Sequence, residues 1–345
     1  METKHSSRID SVDFKNLPFG KIFTDHMAMV RYSNREWGKI EIAPYGPLSL
    51  SPSISALHYG QAVFEGMKAF CSKQGGLLVF RPQDHAKRLN RSLARLAMPE
   101  LPEGLLIESL EAFIKADAEW LRRAGQLYLR PFVFATEACL GVKVSEEYLF
   151  MILACPVGPY YTKPLNLKIE TEFSRSAPGG VGFAKAAGNY AASLYPTKLA
   201  QEAGFDQLIW TDAATHTHVE ESGTMNIMCV IGGTLVTPEL GPTILSGITR
   251  DSVLSIARDL GIKVEERKLA VSELVEGLAG GRVSEVFGVG TAVTIVRCAS
   301  ITHDSKRYEL PDPGQDSLSA KLYAELDAIK RGERADTRNW VHAIA

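Results

Sequence analysis

GVGFAKAAGNYAAS, residues 180–193, sets a single lysine among residues that are nearly all small. A solvated loop lysine needs no such company, although that bland reading fits most lysines. Ala184, Ala186, Ala187 and Gly188 leave the backbone bare enough for a ligand to approach it. Lysine is also the side chain that forms Schiff bases once its ammonium is desolvated. Lys185 is therefore a candidate Schiff-base lysine, and the rest of the chain must supply what such a lysine requires.

The chain has 345 residues, is 45% hydrophobic and 23% charged, and carries a formal net charge of -2. That suits one large or two medium globular domains. No basic surplus points to nucleic acid, and no acidic block points to a solvating tail. Small polar or zwitterionic partners fit this balance. Cysteines at 71, 139, 155, 229 and 298 form no CxxC pair, which argues against a disulfide framework or a zinc site, so no metal is expected. The opening METKHSSRID has no apolar h-region, and Glu2 and Asp10 speak against an organellar transit peptide. No apolar run of about 18 residues exists, so no membrane span and a cytoplasmic location are expected.

HMAMVRYS and KIEIAPYG read as strands joined by NREWG, and LLVF at 77–80 as another strand. PQDHAKRLNRSLARLAMPE reads as a helix with Asp84 as its cap and Leu89, Leu93 and Leu96 as its apolar stripe. LLIESLEAFIKADAEWL reads as a second helix. LYLRPFVFAT and YLFMILACPV are β-rich, and Pro131 predicts an edge or a bulge for the first. GPYYTKPLN, 158–166, reads as an interdomain connection. Beyond it, QLIWTD, MNIMCVIGGTLVTP and EVFGVG alternate with helical TRDSVLSIARDLG and AVSELVEGLAGG. These patterns predict an α/β (α+β) chain: residues 1–157 as a smaller N-terminal domain, 158–170 as a connecting loop, and 171–345 as a larger domain carrying Lys185.

A Schiff-base cofactor such as pyridoxal phosphate needs donors for its phosphate and a counter-charge for its pyridine nitrogen. LSGITRDSVLSIARDLG places Gly247, Ile248 and Thr249 before a helix, where unpaired N–H groups and the dipole favour an anion. A plain helix start is the commoner reading. FGVGTAV, 287–293, is a second donor loop, without the flanks of a dinucleotide fingerprint. Arg88 is a third, in a row with Arg91 and Arg95 that otherwise reads as a solvated basic face. HVEESGTMNIMCV offers Glu220 and Glu221, of which an extended segment turns only one to a given face.

Together and in this order, FTDHM, SALHYGQAVFEGMKAF, FRPQDHAKRLNRS, LYLRPF, CPVGPYY, GGVGFAKAAGNYAAS, ESGTMNI, LSGITRDS and EVFGVGTA resemble the branched-chain amino acid aminotransferases of pyridoxal-phosphate fold type IV. The resemblance spans roughly residues 23 to 292. It implies a two-domain fold with mixed sheets flanked by helices, pyridoxal 5'-phosphate in the interdomain cleft, and exchange of amino groups between Leu, Ile or Val and 2-oxoglutarate. Lys185 would be catalytic, holding the cofactor and moving the proton between substrate and cofactor. Glu221 would face the ring nitrogen and Tyr190 the phenolic oxygen. Arg88, Thr224, Gly247, Ile248, Thr249 and Thr291 would bind the cofactor, chiefly its phosphate. Thr291 and Ala292 would meet the substrate α-carboxylate, and Tyr59, Phe64, Tyr128, Arg130 and Tyr160 would form the side-chain pocket. Aromatic walls suit an aliphatic group at about 0.8 kcal/mol per methylene, and Arg130 suits the γ-carboxylate of glutamate. Tyr59 would come from a partner subunit, implying a homodimer.

One departure is that the stretch after GTA reads AVTIVRC, with only Cys298, so no dithiol switch is expected. Pro196 predicts a kink or a late start in the helix after Lys185. Rival readings within the fold are D-amino acid or R-amine transaminases and a lyase that aromatises aminodeoxychorismate. Outside it stands a non-catalytic relative that binds pyridoxal phosphate.

Overall fold

The computed structural model describes residues 7–344. The opening METKHS, on which part of the leader reading rests, lies outside the described residues. The chain forms two compact units. The first takes the described part of Met1–Tyr160 together with Ala184–Gly188 and the described part of Ala328–Ala345; the second takes Tyr161–Phe183 and Asn189–Asp327. The handover after Tyr160 falls within the stretch read as a connection, but Leu165–Ile169 is a strand, not loop. A single cut at 171 also differs from the structure, because the segment bearing Lys185 packs with the first unit.

The first unit is built on a nine-stranded sheet whose interior strands are Leu77–Phe80, Met67–Cys71, Gln126–Ala135, Tyr148–Pro156 and His26–Ser33. Tyr148–Pro156 is buried almost throughout, as an interior strand of apolar residues should be. Helices Pro82–Arg95, Glu103–Ala116 and Ala118–Ala124 set Leu89, Leu93, Leu110, Phe113 and Trp120 into one core with it. Each such side chain contributes about 1.5–3 kcal/mol by burial.

Four local expectations need correction. Gln126–Ala135 is not an edge strand, and Pro131 pairs in register with Ile152. On its other side the neighbouring strand breaks between Ala62–Phe64 and Met67–Cys71. The Glu65 N–H donates to the Pro131 carbonyl there, 2.7 Å away. A residue's N and O point to the same side of a strand, so the missing proline donor faces that break. Asp84 does not cap its helix; its carboxylate accepts from Arg81 Nε at 2.6 Å, and Arg81 holds the cap position at φ 52°. LLIESLEAFIKADAEWL divides at buried Asp117, whose carboxylate turns to the backbone N–H and ring of His26. Helix Ala187–Glu202 starts directly after the lysine segment, with buried Pro196 inside it, so the late start expected from Pro196 is overturned.

The second unit carries a ten-stranded mixed sheet. Met225–Ile231, Val283–Gly290, Thr294–His303, Leu165–Ile169, Gln207–Thr211 and His218–Ser222 pair in that sequence. The last returns to the first through Glu221 opposite Asn226, so the path closes on itself. Gly232 and Gly233 turn the hairpin between Ile231 and Thr234 at φ 56° and 80°, the left-handed pair that a two-residue turn requires. No described helix is long and apolar enough to cross a membrane.

Candidate active site

In the first unit Lys185 is tied down through its backbone. Its N–H donates to Ser92 Oγ at 2.9 Å, and its carbonyl accepts from the Phe64 N–H at 3.0 Å. Ala186 bridges to Val63. The amine Nζ then stands over the Phe64 ring, 4.7 Å from its centroid. The small neighbours need a finer account than room for a ligand. Ala184 and Ala186 are themselves buried core. A side chain at Gly188 would meet open space.

Helix Pro82–Arg95 brings Arg88 into the same unit. The expected basic row divides: Arg88 is buried, whereas Arg91 and Arg95 are exposed. Arg88 grips Glu65 with Nε at 2.7 Å and Nη2 at 2.8 Å. His85 Nδ1 lies 2.7 Å from the same carboxylate. Burial alone would raise the Glu65 carboxyl; the Arg88 guanidinium outweighs it and, with His85, holds Glu65 well below the usual carboxylate range. Burial holds His85 below its ordinary value, more than offsetting the pull of Glu65. An ionised carboxylate only accepts, so the neutral imidazole donates from Nδ1.

Four of the expected pocket residues meet here. Arg130 stacks 4.6 Å from the Phe64 ring centroid and donates to the Tyr128 hydroxyl at 3.1 Å. Tyr128 packs directly on Gly66, where a Cβ would fall 2.1 Å from its hydroxyl. Phe19 joins Tyr128 to Tyr160 by edge contacts at 5.0 and 4.7 Å. Among the described residues, the buried Arg130 Nε has no hydrogen-bond partner. Tyr59 stays apart: it is 47% exposed, and its hydroxyl donates to the Leu140 carbonyl at 2.5 Å.

In the second unit Glu221 is buried on strand His218–Ser222. Its Oε1 accepts from the Leu245 N–H at 2.8 Å and from Asn226 Nδ2 at 3.2 Å. Its Oε2 faces Arg175 Nε at 3.0 Å, off the line of the N–H bond. Arg175 also donates to the Gly182 and Thr243 carbonyls. Gly182 is thus small for packing, since a Cβ there would strike Ser176 and the Thr243 carbonyl. Glu220 turns to Thr243 Oγ1 at 2.5 Å, and burial pushes its carboxyl up. Gly247 opens helix Ile248–Asp259 in extended backbone with no side-chain cap. A Cβ at Gly247 would fall 1.9 Å from Asn226 Oδ1, so the helix start has to stay bare. Thr224 is exposed in the turn after Glu221, and the position of a Gly290 Cβ lies 4.0 Å from its carbonyl. Thr291 and Ala292 follow in a half-buried turn, and Tyr190 is half-buried in helix Ala187–Glu202.

The first unit thus holds an amine and a guanidinium, and the second a buried carboxylate and a helix start with no side-chain cap. The family model of amino-transferase class IV matches residues 62–301, which include all four. The chain belongs to the class IV aminotransferases. That family works with pyridoxal 5'-phosphate. The branched-chain-amino-acid transaminase 1 of Bacillus subtilis is 44% identical over 335 residues, covering 95% of this chain and 94% of its own. The Escherichia coli branched-chain amino acid aminotransferase superposes with a TM-score of 0.79 at 25% identity, over 93% of this chain and 99% of that one. The branched-chain aminotransferase of the thermophilic archaeon Thermoproteus uzoniensis, solved with norvaline, does so with a TM-score of 0.78 at 26% identity, over 92% of this chain and 100% of that one.

Within this class IV chain, sequence reasoning passed over Phe19, Glu65, His85, Ser92, Arg175 and Asn226. Glu65, His85 and Ser92 lie inside the quoted motifs yet have no local pattern that marks a role. Arg175 has no sequence signal at all; only the fold sets it against Glu221.

Proposed function

We propose that this protein transfers amino groups between branched-chain L-amino acids and 2-oxoglutarate, with pyridoxal 5'-phosphate bound by Lys185. The observation that carries this reading is that one ring, Phe64, borders both the Lys185 amine at 4.7 Å and the Arg130 guanidinium at 4.6 Å. A reactive amine, a carboxylate clamp and an apolar wall then share one surface.

The residues fit the cofactor. The uncapped helix start at Gly247 and the fork-held Arg88 suit a phosphate, and buried Glu221 suits a basic ring nitrogen. When bound, the cofactor supplies an electron sink for charge developing at the substrate α-carbon. Lys185 takes the proton from that carbon and delivers it to cofactor C4′. Glu221 keeps the ring nitrogen protonated, and Tyr190 donates to the phenolic oxygen. Arg88, Thr291 and the backbone N–H groups of Ile248 and Thr249 hold the phosphate, and Thr224 and Gly247 also contact the cofactor. Thr291 and Ala292 orient the α-carboxylate. Phe64, Tyr128 and Tyr160 exclude water around an aliphatic side chain, and Arg130 pairs with the γ-carboxylate when glutamate enters.

The same reading makes the protein a cytoplasmic homodimer in which Tyr59 serves the partner's pocket. Leu57, Tyr59, Leu140 and Val142 are exposed apolar residues, and the Tyr59–Leu140 bond joins their two segments. An amino-donor panel with 2-oxoglutarate tests the assignment. L-leucine, L-isoleucine and L-valine should be the good donors; turnover confined to D-amino acids or amines would overturn it.

A further inference from the structure

We propose that Ser92 is a positioning residue for the reaction, setting the backbone of Lys185 through its hydroxyl. The proposal rests on the reading of Lys185 as the cofactor-binding lysine. Ser92 lies inside helix Pro82–Arg95 and is fully buried. Its hydroxyl donates to the Arg88 carbonyl at 3.1 Å, one turn back. With its proton committed there, the oxygen presents only lone pairs elsewhere, and the Lys185 N–H donates to it at 2.9 Å.

The opposite face of the Lys185 peptide is held as well. Its carbonyl accepts from the Phe64 N–H at 3.0 Å, and Ala186 bridges to Val63. The lysine backbone is therefore anchored to a strand on one side and to a buried helix on the other. Lysine has a long flexible stem, so the reach of Nζ depends on where that backbone sits. The hydroxyl is not there for the helix itself, because alanine is the better helix former and pays no such internal hydrogen bond. Ser92 thus also links the Lys185 backbone to the backbone carbonyl of Arg88.

The test separates the lysine from the other cofactor contacts. Pyridoxal phosphate joins the lysine amine through its aldehyde with loss of water. Pyridoxamine phosphate keeps the same ring and phosphate but has an amine in place of the aldehyde, so it forms no bond to lysine. In Ser92→Ala the dissociation constant for pyridoxal phosphate should rise about tenfold, the loss expected for one buried hydrogen bond. That for pyridoxamine phosphate should stay within about twofold. In the same variant kcat should fall while KM for leucine holds, and Ser92→Thr should restore both readouts. Equal weakening for the two cofactor forms, or no weakening for either, would overturn the proposal. Lys185→Ala is the control for the underlying reading. If it still shows the absorbance of a covalently held cofactor, the assignment of Lys185 fails, whatever Ser92→Ala does.

Discussion

Glu65 in the first unit gives both carboxylate oxygens to Arg88, and His85 and the Gly66 N–H share one of them. Glu221 in the second unit gives one oxygen to backbone and amide donors and meets Arg175 off the hydrogen-bond line. Both are buried arginine–glutamate pairs, yet they are wired in opposite senses. In the first the carboxylate is fully used and aims the cation. In the second the cation is shared with the carbonyls of Gly182 and Thr243, and it supports the anion. Buried arginine–glutamate pairs can thus be wired differently within one chain: Arg88 is held in a fork on Glu65, whereas Arg175 is shared with two backbone carbonyls.

The largest effect should come from the amine that neither pair supplies. Lys185→Ala should lose transamination by roughly 10⁴-fold or more, together with the cofactor's covalent absorbance. Near-normal turnover with leucine would overturn the role given to Lys185.

The two glutamates should then fail differently. Glu65→Gln strands a buried guanidinium and should cost about 3–5 kcal/mol of stability in urea titrations. Glu221→Gln should be far milder in stability, because Arg175 keeps its carbonyl partners, but should cut turnover by about 10²-fold or more. Equal stability losses in the two variants would show that the two ion pairs are not wired differently.

Arg130→Ala should weaken kcat/KM for 2-oxoglutarate by about 10- to 100-fold, the value of a charge-assisted pair, with a much smaller loss for the branched 2-oxo acids. Matched losses for both acceptors would make Arg130 a packing residue under Phe64.

The smallest effect concerns pH. Glu65 is held below the ordinary value of 4.5, so its stabilisation is present above that pH and fades as pH falls through its folded value. Glu220 is raised by burial, so the folded state binds its proton more tightly and stability declines as pH rises from 4.5 through its folded value. Glu220→Gln should remove that decline: its stability relative to the parent should climb with pH and then level off. A flat difference between the two proteins from pH 4 to 9 would show that Glu220 does not titrate as described.

Much was legible without coordinates. His26–Ser33 and Leu77–Phe80 match the strands read from apolar and β-branched runs, and the Gly232–Gly233 hairpin follows from glycine's freedom at positive φ. These are local matters, decided within a few residues. The bare company of Lys185 singled it out, and the ordered motifs carried the family. Tertiary structure decided the partners. Lys185 meets Ser92 across 93 positions, Glu65 meets His85 across 20, and Pro131 avoids an edge because a neighbouring strand happens to break beside it. Periodicity records which face of an element is buried, but a hydrogen bond between distant side chains leaves no periodic trace. The sequence by itself determined which groups are present; only the fold decided which of them hold one another, because that depends on where whole strands and helices come to rest.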